Sequence, residues 1–411
     1  MDLNLVDMFV ETDQGRDAST IIQKCVHCGF CNATCPTYQL FGDELDGPRG
    51  RIYLIKSMLE GHEVSASTQI HLDRCLTCRS CETTCPSGVE FGQLLEIGRE
   101  VVEEKSRRPV FERLARFTLR KVLSRHMLFG SRLFGCILLI GRILRPIMPR
   151  VIARQFGVRR IAGRRPEAEH SRRMLILDGC VQQGFAPIIN AAACRVLDRA
   201  GISMISVGEA GCCGALSLHL AQAEEARQFM RRNIDAWWPE IERGCEAIAI
   251  TASGCGVTIR EYGRLLASDE HYAQKAARVS ALTRDLSEIV VVEKPAGLPT
   301  GDSRLVSYHS PCTLQHGQQI HGLVEEILAS YGWQVATVRD GHLCCGSAGT
   351  YSLFHPRIAE QLVKDKLVAL EEPEPEVIAS ANIGCLMHIG AKSTVSVRHW
   401  IELLDPEAPP T

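Results

Sequence analysis

A chain of 411 residues with 45% hydrophobic and 23% charged residues and a formal net charge of −2 can form two or three domains with buried cores. That balance argues against wholesale disorder and gives no case for a nucleic-acid partner. Met1–Asp13 lacks a basic, apolar leader pattern and no apolar run reaches about twenty residues, so neither a signal peptide nor a spanning helix is expected. The nineteen cysteines then read as intracellular thiolates that ligate something, rather than as a secreted disulfide scaffold.

Two N-terminal runs carry the clearest chemistry. Cys25-Val-His-Cys28-Gly-Phe-Cys31-Asn-Ala-Thr-Cys35-Pro36 and Cys75-Leu-Thr-Cys78-Arg-Ser-Cys81-Glu-Thr-Thr-Cys85-Pro86 both fit C-x2-C-x2-C-x3-C-P, the spacing of bacterial two-cluster ferredoxins. Thiolates at every third residue wrap one cube, and the fourth, followed by proline, leads toward the other. Two [4Fe–4S] clusters are therefore expected. One would be held by Cys25, Cys28, Cys31 and Cys85, the other by Cys75, Cys78, Cys81 and Cys35. Zinc is the weaker reading, because its four ligands usually come as two separated pairs. Between the runs, Gly47-Pro48-Arg49-Gly50-Arg51 reads as a turn before a helix through Leu59. Arg49 and Arg51 can face the negative cluster–thiolate assembly or simply be solvated.

From Lys105 to Arg165 the chain is basic, with Glu112 its only acid. An apolar patch, Leu133–Ile140, sits there between arginines, and Pro146 and Pro149 limit any helix. It suits contact with an anionic membrane surface, docking on a partner subunit, or a linker. Cys136 reads as an ordinary buried thiol.

Beyond residue 170 a second arrangement occurs twice. Cys180, Cys212-Cys213-Gly214 and Cys255 form the first copy; Cys312, Cys344-Cys345-Gly346 and Cys385 form the second. Both copies place 31 residues between the first cysteine and the pair, which marks an internal duplication. Strands are expected at Arg173–Leu177, Met204–Val207 and Ala247–Thr251, then at Leu305–Tyr308, Gln334–Val338 and Glu376–Ala379, with a helix at Ala191–Ala200. Each key cysteine then falls where a strand ends, the edge at which α/β sheets collect ligands. These eight cysteines are candidate metal or cluster ligands. Redox catalysis by the vicinal pairs and purely structural thiols are the alternatives. No complete dinucleotide fingerprint, Walker loop or Gly-x-Ser-x-Gly elbow is present, so substrate chemistry is expected on another polypeptide.

The expected fold is a mixed α+β and α/β multidomain protein. A helical two-cluster ferredoxin-like domain (1–104) precedes a basic linker or docking segment (105–170) and two duplicated α/β cysteine-rich modules (171–300 and 301–411).

In this arrangement the chain resembles the iron–sulfur subunits of membrane-associated 2-hydroxyacid and glycerol-phosphate dehydrogenases; heterodisulfide reductases share the cysteine-rich "CCG" module. Gly42–Arg51, Asn233–Pro239, Leu343–Tyr351 and Ala381–Cys385, with the first cysteine run, make it most similar to the bacterial glycolate oxidase iron–sulfur subunits. The resemblance implies two FAD-containing partner subunits that oxidise glycolate to glyoxylate, and electron flow to a membrane acceptor such as quinone. It also implies a cytoplasmic location at the inner face of the cell membrane. A heterodisulfide-reductase-like catalyst, and an iron–sulfur subunit serving lactate or glycerol-3-phosphate oxidation, remain the alternatives. Related modules often end in Cys-x-x-Cys, whereas here the last positions are Thr258 and His388. His388 is thus a candidate fifth ligand in the second module; His309, beside Ser310-Pro311-Cys312, is another candidate ligand or a proton carrier, and either can instead be a hydrogen-bonded core histidine.

Overall fold

The computed structural model describes residues 3–125 and 162–407. The apolar patch at 133–140 and Cys136 lie outside the described residues. Among the described residues no helix is long and apolar enough to cross a membrane.

The N-terminal region is helical. Helix Pro48–Leu59 starts with proline at its first turn, where a missing N–H costs nothing, and Gly47 precedes it. Its apolar face packs with helices Asp13–Lys24 and Phe91–Lys105, so that Ile21, Ile22, Ile55, Leu59, Leu94 and Leu95 form one core. Cys25, Cys75 and Cys81 belong to the same buried cluster, which fixes the cysteine loops onto the helices.

Two four-stranded parallel sheets follow. In the first, β1 (Arg172–Ile176), β2 (Ile202–Ile205), β3 (Ile248–Ile250) and β4 (Thr283–Asp285) are ordered β2-β1-β3-β4. In the second, β5 (Leu305–His309), β6 (Gln334–Ala336), β7 (Val377–Ser380) and β8 (Ser396–His399) repeat that order as β6-β5-β7-β8. The expected strands lie where six of these eight were read. The two edge strands β4 and β8 were not read, because Thr-Arg-Asp and Ser-Val-Arg-His are too short and polar to carry a strand pattern.

The first sheet is apolar on both faces, as parallel sheets covered by helices must be. Leu175 and Ile248 face Met230, Ile234 and Trp237 on one side. Met174 and Ile176 face a core shared with the second sheet, which includes Ile189, Val196, Ile327, Trp400 and Ile401. The duplicated halves are thus packed on one another. Backbone and side-chain bonds seal the joint: Ser253 N donates to Ala381 O at 3.1 Å, and His399 Nε2 pairs with Thr251 O at 2.9 Å. Arg195 meets Asp405 in a buried two-pronged pair, Nε–Oδ1 2.7 Å and Nη2–Oδ2 2.5 Å.

Candidate iron–sulfur and metal centres

The two N-terminal runs adopt the same loop. His27 and Thr77, each just before the second cysteine, have φ of 57° and 54°; Gly29 and Arg79, just after it, have φ of 82° and 59°. Two left-handed residues around each second cysteine coil the backbone tightly. Three of these four are not glycine, a local strain that the surrounding structure must hold in place.

Cys25, Cys28, Cys31 and Cys85 line one small cavity, together with Cys81 of the second run and with Arg49, Pro86 and Phe91. Cys28 is exposed, so this site reaches the surface. Cys35 lies instead beside the second run: with Cys75 it faces the guanidinium of Arg51, and with Cys75 it neighbours Cys78 and Cys81. The chain thus brings the fourth cysteine of each run to the other run's loop. Burial, reinforced by neighbouring sulfurs, pushes the thiols of Cys78 and Cys81 well above their ordinary range. Such thiols become stable thiolates only when a cationic centre binds them, so the donor set fits iron.

The two arginines differ. Arg51 is fully buried, donating to His71 O (2.8 Å) and Thr37 Oγ1 (3.0 Å), with Cys35 Sγ 3.9 Å away and Asp46 at 3.5 Å. Asp46 also takes Arg74 at 2.7 Å and His71 at 3.0 Å. Arg49 is only half-buried and is occupied by Glu44 and His27 O. Arg51 therefore faces the sulfurs of the second site, whereas Arg49 clamps the first loop beside Cys31.

The second run is wedged between the two α/β halves. Leu76 packs with Cys344, Tyr351, Ala359 and Leu362, with Cys78 and Cys312 against the same patch. Tyr351 Oη donates to Arg74 O at 3.0 Å, and Thr83 Oγ1 meets His316 Nδ1 at 3.0 Å. On the other side Arg79 pairs with Glu261, and Arg264 reaches Glu96 at 3.4 Å. Nothing in the cysteine spacing announces this docking.

A cavity of about 1060 Å³ lies where the three parts meet. Cys75 and Cys78 line it together with all eight cysteines of the duplicated modules. In the first module the thiols of Cys180, Cys212, Cys213 and Cys255 neighbour one another in that order. The second repeats this from Cys312 to Cys344, Cys345 and Cys385, with Cys312 and Cys344 Sγ 3.9 Å apart. Partner thiols and burial hold Cys180 and Cys312 well above the ordinary range, so these donor sets too suit a soft cation.

The glycine after each pair has a physical reason. Gly214 and Gly346 have φ of 92° and 86°. A Cβ there would stand 3.0 Å from Ala226 O in one module and 3.0 Å from Ala359 O in the other. Each glycine lets the following helix close over the cysteine pair.

The two histidine candidates separate. His388 Nε2 sits 3.3 Å from Ala359 O and is a hydrogen-bonded wall residue. His309 is 2% exposed, and its Nε2 has no hydrogen-bond partner among the described residues. One of its two ring nitrogens and the sulfurs of Cys345 and Cys385 lie within 4.8 Å of one another. Lys366, buried beside this group and donating to Asp340 O at 2.7 Å, was missed from sequence because an isolated lysine in a helix reads as surface.

Comparison with known proteins agrees with the two-part chemistry. The family model of the 4Fe-4S dicluster domain matches residues 21–89, and that of the cysteine-rich domain matches 174–260 and 306–390. The matched N-terminal region thus carries two [4Fe–4S] clusters. The "Glycolate oxidase iron-sulfur subunit" of Escherichia coli (strain K12) is 50% identical over 406 residues, 98% of each chain. The "Probable glycolate oxidase iron-sulfur subunit" of Bacillus subtilis (strain 168) is 28% identical over 92% of each. "Lactate utilization protein A" of Bacillus velezensis is 27% identical over 55% of this chain and 96% of its own. Two cluster loops, a duplicated cysteine-rich module and half of all residues shared along the full length lead to one conclusion: this chain belongs to the family of glycolate oxidase iron–sulfur subunits and is an iron–sulfur electron-transfer protein.

Proposed function

We propose that this chain is the electron relay of a glycolate-oxidising complex. FAD-containing partner subunits oxidise glycolate to glyoxylate, and the electrons leave through this chain to a membrane acceptor such as quinone. The assembly sits at the inner face of the cell membrane. Residues 1–104 form the cluster domain, 105–170 a basic linker or docking segment, and 171–300 and 301–411 the two cysteine-rich modules. Cys25, Cys28, Cys31 and Cys85 hold one cluster; Cys75, Cys78, Cys81 and Cys35 hold the other. Cys180, Cys212, Cys213 and Cys255, and likewise Cys312, Cys344, Cys345 and Cys385, hold a cluster or another metal. When bound, the clusters supply one-electron exchange; the chain's own residues set where they lie and what charge they feel.

The observation that carries this reading is the sequence of sulfur sites. The first site reaches the surface at Cys28, Cys81 lines it while neighbouring Cys75 and Cys78, and Cys78 of the second run lies against Cys312 at the central cavity. Redox groups arranged from surface to interior in one chain suit a relay.

The test is to mix anaerobically purified full chain with the flavoprotein subunits and follow cluster reduction by EPR. Glycolate should bring up the EPR signals of the reduced clusters within the turnover time. No reduction by glycolate with an active flavoprotein would sink the proposal. Iron and acid-labile sulfide should reach at least about eight of each per chain.

A further inference from the structure

The duplicated modules are not equivalent at their metal sites. Their registers match: Leu175 pairs with Ile248 and Ile176 with Ala249 in the first sheet, while Ser307 pairs with Ile378 and Tyr308 with Ala379 in the second. Cys255 and Cys385 follow these paired strands at the same distance, so Leu177 is the counterpart of His309. Each stands three residues before the first cysteine of its module. One module offers an isobutyl group at this strand end, and the other offers an imidazole. The same superposition, through Gly214 over Ala226 and Gly346 over Ala359, makes Asn233 the counterpart of Lys366. Asn233 is a neutral brace, donating to Cys212 O and Tyr262 Oη at 2.9 and 3.1 Å.

We propose that the second module binds a single zinc-type divalent ion through mixed imidazole and thiolate ligation. The His309 imidazole, Cys345 and Cys385 are its ligands, and one of the neighbouring thiols Cys312 and Cys344 completes four. This rests on the reading of the module cysteines as metal ligands and names the donor that reading lacks.

Three observations support it. A buried imidazole nitrogen without a partner costs about 1–3 kcal/mol, a penalty that a ligand bond removes. The three donor atoms lie within 4.8 Å of one another, which is compact. A tetrahedral ion with bonds of about 2.0–2.3 Å needs donors roughly 3.3–3.8 Å apart, a spacing close to this one. The thiolates of a four-iron cube are spread wider, by the width of the cube itself. Among the described residues no three cysteines of the first module or of the N-terminal runs gather so tightly. Asn382 Nδ2 donates to Cys385 Sγ at 3.6 Å, and the Lys366 ammonium, which faces Cys344 and Cys345, supplies outer-shell positive charge for the bound thiolates. Binding displaces the thiol protons to solvent and involves no redox change.

The experiment uses the whole chain. Metal content is measured on protein grown with zinc, and the site is then exchanged with cobalt(II). X-ray absorption at the zinc edge of the unaltered protein should show nitrogen and sulfur neighbours with imidazole scattering. Cobalt should give tetrahedral visible bands. His309→Leu, which copies the first module, should lose the single zinc equivalent while retaining the iron of the N-terminal clusters. His309→Cys should retain the ion, with the bands shifted to those of an all-sulfur site. A sulfur-only shell in the unaltered protein, or a zinc equivalent unchanged by His309→Leu, overturns the histidine assignment while leaving the thiolate reading intact. Iron and sulfide in the second module in place of zinc overturns the single-ion proposal. No metal of any kind in either module overturns both readings. The edge measurement needs no substitution, so a variant that fails to fold does not remove the test.

Discussion

Arg79, inside the second cysteine run, forms an ion pair with Glu261 at the end of a helix some 180 residues later in the chain. Both side chains are largely buried, and the pair shares its surroundings with Glu96 and Arg264. Two carboxylates and two guanidiniums thus join the cluster loop to the first cysteine-rich module. Glu261, held by Arg79, stays below the usual carboxylate range, while burial pushes Glu96 up to about 7 despite Arg264.

A pH dependence follows from Glu96. Its folded value lies above its ordinary one, so its contribution to stability is complete below about 4.5 and is lost as pH rises through about 7. Chemical denaturation of the whole chain between pH 5 and 8 should show this loss. Glu96→Gln should flatten that part of the profile. An unchanged slope in the variant would refute the assignment.

Cross-ligation gives a spectroscopic prediction. Cys85→Ser should impair the cluster held by Cys25, Cys28 and Cys31, although Cys85 is nearer in sequence to the other set. EPR paired with cysteine-selective labelling of the freed thiols would identify the affected loop. Released reactivity at Cys75 and Cys78 would contradict it.

Arg51 should tune the second cluster. A buried cation 3.9 Å from Cys35 Sγ favours the more negative, reduced state. Arg51→Leu should lower one of the two midpoint potentials by roughly 50–100 mV. It should also destabilise the fold by about 3–5 kcal/mol, because Asp46 loses one of its buried partners. Arg51→Lys should restore most of the potential. Redox titration of both variants by EPR separates charge from simple damage.

The glycine of each cysteine pair should resist substitution. Gly346→Ala must hold φ near 86° and crowd Ala359 O and Leu362 Cβ, the latter 2.9 Å from the added carbon. A loss of about 1–3 kcal/mol is expected. Gly42→Ala, at a φ of 65° with nothing within 4 Å, should cost less. Thermal melts of the two variants make the comparison.

Much of this protein is written locally. Four thiolates at fixed spacing before a proline specify a cluster loop, since the coiling that wraps a cube needs only neighbouring residues. The repeated interval from Cys180 to Cys212 and from Cys312 to Cys344 likewise announces two equal modules, and apolar runs such as Met174–Leu177 announce the buried parallel strands. The polar edge strands Thr283–Asp285 and Ser396–His399 could not be read, because pairing with β3 and β7 rather than their own pattern makes them strands. Tertiary structure alone decided that Arg51 is buried against Cys35 while Arg49 stays near the surface, a choice made by which helix face meets the core. It alone set Leu76 and Arg79 between the two modules, and distinguished the unpartnered His309 from the hydrogen-bonded His388. The physical reason is range: ligand spacing is a property of a few consecutive bonds, whereas burial, partner and charge environment depend on residues brought together from hundreds of positions apart.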